Sequence, residues 1–242
     1  MANLVRKWDV DVPNYHGCSI GEQIDSLHRL LEIATFHHAE AEAFGDTTIR
    51  PLGHMWLVAK VSTKLARLPK SNERLQLTST VYLGLASGVF WIVEGKDSAG
   101  NQIVEQGIWW TLADQTTLRP IRVADALRGT QADRSHLKAL LTAWFDDVAM
   151  AEPTEQVASL TVQAADIDQN RHVHNTTYLK YLFDAIPILP QEYKIAYLSP
   201  LYLGDALTIR AVRQGNRINA SGRVSSPTQS VNAFTAAMTV NS

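Results

Sequence analysis

The chain has one cysteine, Cys18, in 242 residues. A single thiol closes no internal disulfide and builds no thiolate metal cage, so neither an oxidising compartment nor a zinc framework is implied. Long apolar runs are missing as well. Nothing approaches the roughly 18 apolar residues that cross a bilayer, and the start, Met-Ala-Asn-Leu-Val-Arg-Lys-Trp-Asp, lacks the apolar core of a secretory leader. The expectation is a cytoplasmic protein with no membrane span. Charge of one sign is also scarce: a formal net charge of −2 argues against general nucleic-acid binding and leaves only local basic patches. With 45% hydrophobic and 19% charged side chains, the chain is long enough for one large domain or two small ones with real cores.

What is present falls into two similar blocks. Ser19 followed by Glu22 forms a capping box, the hydroxyl serving the first amides and the carboxylate reaching back. Apolar residues recur at Ile24, Leu27, Leu30, Leu31, Ala34 and Ala41, and Gly45 offers a left-handed stop, which predicts one long amphipathic helix. Beyond it the period drops to two: Met55, Leu57, Ala59 and Val61, then Leu75, Leu77, Val81 and Leu83. Val89 to Glu94 and Gln102 to Leu112 continue the pattern, with Asp97 to Asn101 as a hairpin turn. A helix followed by such a meander buries its stripe against one face of the sheet.

Leu137, Leu140, Leu141 and Trp144 return to helical spacing in a charged connector that includes Arg128, Arg134, Lys138, Asp146 and Asp147. The opening order then recurs: a short strand near Ser159 to Gln163, a polar loop, and a helix from about Thr176 to Asp184 ended by Pro187 and Pro190. Strands follow near Lys194 to Tyr197, Ala206 to Val212, Arg217 to Ser225 and Ser230 to Val240. The expected fold class is α+β, two tandem helix-on-antiparallel-sheet units joined into one continuous sheet. The units are placed at 1–125 and 153–242, with a helical connector at 126–152.

Chemistry concentrates in the polar loop. Asp-Ile-Asp-Gln-Asn-Arg-His-Val-His-Asn-Thr-Thr-Tyr, starting at Asp166, sets a carboxylate, a carboxamide and an imidazole at alternate positions, Asp168, Asn170 and His172. On local chemistry alone such residues more often serve as turn formers and helix caps. A metal pair of His172 and His174 with Asp166 or Asp168 lacks a third histidine close in sequence, so no metal and no cofactor is expected. Of His37 and His38, one should face solvent and the other the sheet, and Cys18 should be a small buried side chain.

The same loop resembles the Asp-x-Asp-x-Asn-x-His-Val-Asn-Asn-x-x-Tyr signature of the acyl-acyl carrier protein (acyl-ACP) thioesterases, tandem hotdog proteins, in the bacterial type without a transit peptide. The likeness extends through Trp56 to Arg67, the turn at Leu68 to Lys70, the Asp97 hairpin, Trp109 to Leu112 and Arg119 to Arg122. It implies a double hotdog fold whose first half shapes an acyl pocket and whose second half holds the catalytic loop. It also implies hydrolysis of fatty acyl-ACP to free fatty acid and holo-ACP in fatty acid biosynthesis. Carried over residue by residue, the family's catalytic Asp, Asn and His fall on Asp168, Asn170 and His172. Thioester hydrolysis needs an attacking oxygen, a proton acceptor and donors for the carbonyl oxygen. Asp168 would orient or deprotonate a water or attack directly, Asn170 would hold the water or the acyl carbonyl, and His172 would bond the carboxylate or carry the proton. The helix start adds amide donors, with Asn175 as its cap, and Asp166 is left a structural part.

In one place the chain departs from the family pattern. Some members place a Glu beside a Cys on the strand after the catalytic helix, where this chain reads Ala-Tyr-Leu-Ser-Pro-Leu at 196 to 201. Pro200 stands near the Glu position, a Cys-based mechanism is disfavoured, and a fourth role is unfilled or passes to Ser199. The implied partner is acyl carrier protein bearing acyl-phosphopantetheine. It would be drawn by some of Lys60, Lys64, Arg67, Lys70 and Arg74 or of Arg210, Arg213, Arg217 and Arg223, which otherwise form a solvated sheet edge. An acyl-CoA thioesterase on the same fold and a non-catalytic acyl-thioester-binding protein stand as alternatives. A homodimer is compatible with all three.

Overall fold

Alternating apolar residues do become strands. The computed structural model describes residues 4–85, 88–123, 134–145, 153–225 and 230–241. Its strands are β1 (Leu4–Asp11), β2 (His54–Leu65), β3 (Arg74–Leu85), β4 (Gly88–Lys96), β5 (Gln102–Asp114), β6 (Glu155–Thr161), β7 (Glu192–Tyr197), β8 (Ala206–Gln214), β9 (Arg217–Ser225) and β10 (Ser230–Thr239). Helices are α1 (Ile20–Ala41), a single turn α2 (Asp46–Ile49), α3 (Arg134–Phe145) and α4 (Asn175–Ala185).

The strands form one 10-stranded sheet in the order β1-β3-β4-β5-β2-β7-β10-β9-β8-β6. Read outward from its centre, the first half runs β2-β5-β4-β3-β1 and the second runs β7-β10-β9-β8-β6, the same arrangement twice. The halves meet where β2 pairs antiparallel with β7, from Lys60 opposite Ala196 to Lys64 opposite Glu192. That pairing makes the sheet continuous, as the sequence predicts. The joins placed at 125/126 and 152/153 lie outside the described residues.

The predicted capping box opens α1: Ser19 accepts from Glu22 N, and Glu22 accepts from Ser19 N. Ile24, Leu27, Leu31 and Ala34 are buried, each fully buried Leu or Ile contributing roughly 1.5–3 kcal/mol. Beneath them the first half is floored by Trp91 and Trp110, both fully buried. In α4 the predicted face of Tyr178, Leu179, Leu182 and Phe183 is buried, and Ile186 caps the end before Pro187. The two helices lie side by side and antiparallel, Ser19 bonding Asp184 at one end and Asn175 bonding Glu32 at the other. Gly21 sits at their closest approach, where a Cβ would run into the Lys180 carbonyl and the Asp184 carboxylate.

Some expectations need correction. Helix α1 stops at Ala41, and the left-handed residue is Ala43 (φ 59°), not Gly45. Gly45 instead precedes α2 at φ −75°, its missing Cβ leaving room for the Glu40 carboxylate. The edge strand β1 was not expected, and β6 begins at Glu155, earlier than the predicted strand. Both are edge strands with few buried residues, so the core imposes little alternation on them. His38 is buried beneath α1 and His37 is exposed. Cys18 is half-buried rather than buried.

Candidate active site

The segment 168–172 closes on itself. Asp168 N donates to His172 O at 2.9 Å and Arg171 N donates to Asp168 O at 3.0 Å, with Arg171 in the left-handed region at φ 66°. Ile167 and Val173 form a bridge at its base. The turn draws the three polar side chains together. The Asp168 carboxylate accepts from Asn170 N at 2.7 Å and from Asn170 Nδ2 at 3.3 Å, and His172 Nδ1 lies 3.7 Å from Asp168 Oδ2. His172 Nδ1 also lies 3.2 Å from the Val173 carbonyl. A carbonyl only accepts, so Nδ1 carries the proton and Nε2 keeps its lone pair. The Asp168 and His172 side chains are 13% and 22% exposed, sheltered yet reachable.

The base of the loop is pinned from behind. Asp166 accepts from Gln163 N at 2.9 Å in a short turn, the structural part expected of it. Tyr178 Oη donates to Ser199 O at 3.1 Å and accepts from Leu201 N at 2.8 Å, while Val173 N donates to Leu201 O at 2.8 Å. Ser199 thus enters through its backbone, and Pro200 is exposed beside it.

The front of the site is held by the first half of the chain. Arg50 Nη2 donates to Asn170 Oδ1 at 3.2 Å, Thr176 Oγ1 donates to Asp25 Oδ1 at 2.6 Å, and Arg29 Nη2 donates to Thr177 Oγ1 at 3.2 Å. Asn175 Nδ2 donates to Glu32 Oε1, and His174 Nε2 lies 3.7 Å from Glu32 Oε2. Glu32 is 3% exposed in the middle of α1. Burial pushes its carboxyl up to about 7, opposed by the Asn175 hydrogen bond and the Arg29 charge. Burial and then the Arg29 charge hold His174 below the usual imidazole range.

Family models describing the acyl-ACP thioesterase N-terminal and C-terminal domains match residues 5–130 and 150–230. The chain belongs to the acyl-ACP thioesterase family. Oleoyl-acyl carrier protein thioesterase 1, chloroplastic, of Arabidopsis thaliana is 23% identical over 201 residues, covering 76% of this chain and 53% of its own. Oleoyl-acyl carrier protein thioesterase, chloroplastic, of Coriandrum sativum is 22% identical over 181 residues, covering 68% and 48%. The chain spans about half the length of the curated relatives it matches. Among solved structures, an acyl-ACP thioesterase from Bacteroides thetaiotaomicron superposes with a TM-score of 0.74 at 16% identity, covering 97% of each chain. The 12:0-ACP thioesterase from Umbellularia californica gives 0.71 at 14% identity, covering 99% and 98%. The fold is therefore the double hotdog expected from the sequence.

Within this acyl-ACP thioesterase family member, Asp168, Asn170 and His172 come together as the loop's spacing predicts. Asn175 is not the cap. His174 precedes the first helical residue, because the Asn175 amide turns away to Glu32. Asp25, Arg29, Glu32 and Arg50 were missed altogether. The only signal available for Glu32 was a carboxylate inside the apolar run of α1, beside Leu31. Among the described residues no group of three or more His, Cys, Asp or Glu gathers to hold a metal ion, His172 turning to Asp168 and His174 to Glu32. Among the described residues no helix is long and apolar enough to cross a membrane.

Charge in the first basic run is largely spoken for. Arg67 is bonded to Glu73 and Asp97, Lys64 to Glu105, and Arg74 to Asp9 and Asp11. A groove of about 690 Å³, lined by His16, Cys18, Gln23 and Lys70, lies near the start of α1 and so at the opposite end of α4 from the loop.

Proposed function

We propose that the protein hydrolyses fatty acyl-ACP to a free fatty acid and holo-ACP, as a cytoplasmic enzyme of fatty acid biosynthesis. The observation that carries this reading is the Asp168 carboxylate held between the Asn170 amide and the His172 ring in a chain of this family. With its Nδ1 proton directed at Val173 O and Asp168, His172 presents Nε2 as the base that takes a proton from water. Asp168 orients the ring and stabilises the imidazolium that results. Both Asp168 oxygens are engaged by Asn170, which favours this route over direct attack by the carboxylate. The partial positive charge at the start of α4 favours the oxygen of the tetrahedral intermediate.

In this reading the units at 1–125 and 153–242 divide the work, the first shaping the acyl pocket and the second carrying the loop. The partner is acyl carrier protein with its acyl-phosphopantetheine arm. The deciding experiment presents purified protein with acyl-ACPs and acyl-CoAs of several chain lengths and scores released thiol, with Asp168→Asn and His172→Ala alongside. Turnover of acyl-ACP that each substitution lowers by about a hundredfold or more is the expected result. Faster turnover of the CoA esters would move the substrate to acyl-CoA, and tight binding without turnover would make the protein an acyl-thioester binder. Light scattering on the same preparation decides between a monomer and a homodimer.

A further inference from the structure

Glu32 is a fully buried carboxyl for which the reaction outlined above has no use, and its surroundings assign it one. From its own helix it meets Asp25 and Arg29, from the loop and α4 it meets His174 and Asn175, and Tyr197 of β7 couples to it from the sheet. The Tyr197 hydroxyl is buried and has no hydrogen-bond partner among the described residues. His174 in turn feels Asp168 and His172.

The tautomer of His174 follows from its neighbours. Thr176 Oγ1 gives its one proton to the Asp25 carboxylate at 2.6 Å, so the 2.9 Å contact between Oγ1 and His174 Nδ1 is made with Nδ1 as the donor. The contact from Thr176 N to Nδ1, at 3.4 Å, is the weaker one and belongs to the other tautomer. In the neutral ring Nε2 is then an acceptor, and it faces Glu32 Oε2 at 3.7 Å. Because Glu32 Oε1 is taken by the Asn175 amide, a proton on Glu32 sits on Oε2, opposite that lone pair.

We infer that Glu32 and His174 share one proton across the contact between the two halves, and that this pair is a positioning device for the Asp168–His172 loop. Transfer breaks the Oε2–H bond and forms an Nε2–H bond, leaving carboxylate and imidazolium with no other reactant. A small ring rotation closes the gap to hydrogen-bond distance. The pair fixes the charge beside Asp168 and His172 and holds Asn175 at the head of α4. Burial that raises the Glu32 carboxyl and lowers the His174 imidazole brings the two proton affinities together, which is the condition for sharing.

The role in catalysis rests on the proposed hydrolysis, so the test has an arm without substrate. Glu32→Gln keeps the acceptor for Asn175 but cannot ionise, and His174→Asn keeps a good helix-capping residue without an imidazole. NMR titration of the histidine ring protons in the full chain from pH 5 to 9 should show an inflection near neutral pH on His174 that vanishes in Glu32→Gln, with the His172 signal displaced. A His174 titration that superimposes on that of the unsubstituted protein overturns the pairing. With acyl-ACP, Glu32→Gln and His174→Asn should each lower kcat about tenfold with KM within about twofold. Each should also remove the same limb of the kcat–pH profile, and the double variant should lose no more than either single one. An unchanged profile, or losses that multiply, would overturn the positioning role. If the unsubstituted protein cleaves no thioester, the hydrolase reading fails while the titration still decides the pair.

Discussion

Arg50 and Asn170 stand 120 positions apart in the chain, and the arginine Nη2 donates to the asparagine Oδ1 at 3.2 Å. A second nitrogen, Nε, holds Asp46 Oδ2 at 2.7 Å, so the guanidinium is braced from its own half. The consequence for Asn170 is a fixed orientation: arginine only donates and Asp168 only accepts, so Oδ1 must face Arg50 and Nδ2 must face Asp168.

Removing that brace should be felt as lost rate. Arg50→Ala frees the Asn170 amide to rotate, and kcat on acyl-ACP should fall by on the order of 10- to 100-fold. The side chain is about a third exposed and its Asp46 pair lies near the surface, so stability should change by less than about 1 kcal/mol. Steady-state kinetics alongside a thermal melt check both halves of the statement.

Asp168→Asn should cost far more. The turn survives, since Asn still accepts from Asn170 N, but the charge that orients His172 is gone. A loss in kcat/KM of roughly 10²- to 10⁴-fold is expected with an unchanged melting curve. Turnover within tenfold of the starting enzyme would remove Asp168 from the chemistry.

Tyr178→Phe tests how the loop is pinned. The substitution strands Leu201 N and Ser199 O, and Leu201 O is in turn the acceptor for Val173 N. Chemical denaturation should report a loss of about 1–3 kcal/mol.

Glu32 gives a pH dependence of definite sign. Its carboxyl is raised in the fold from 4.5 to about 7, so the stability linked to it is complete below about 4.5 and is lost as pH rises through 7. Burial depresses His28 to about 3 and His38 to about 4, which acts in the opposite sense: their contribution is lost as pH falls from 6.5. Only a difference isolates Glu32. Relative to the unsubstituted protein, Glu32→Gln should gain on the order of 3 kcal/mol between pH 4.5 and 8, at about 1.4 kcal/mol per pH unit, read from urea midpoints at several pH values.

The basic runs predict different outcomes for residues of the same charge. Arg67→Glu breaks the bonds to Glu73 and Asp97 and should show first as reduced stability. Arg210 and Arg223 are exposed on neighbouring strands β8 and β9. Their reversal to Glu should weaken carrier-protein binding at low salt and do little at high salt. Equal affinity at both salt concentrations would count against docking through this face.

The sequence by itself determined the repeated helix-and-sheet order, because apolar periods of 3.6 and 2 record which face of each element is buried. The Ser19 box and the buried face from Tyr178 to Phe183 were legible for the same reason. It also determined the Asp168 turn, because the contacts of Asp168 with Asn170 and His172 lie within five residues of chain. The edge strands were less legible, since β1 and β6 bury little and carry a weak pattern. What only the tertiary structure decided is how the loop is held. Asp25, Arg29, Glu32 and Arg50 read as ordinary helix and loop charges until antiparallel packing of α1 on α4 carries the first half against residues 170 to 177. Burial is a property of that assembled contact, and burial is what turns Glu32 from a solvated carboxylate into a group that titrates near neutral pH.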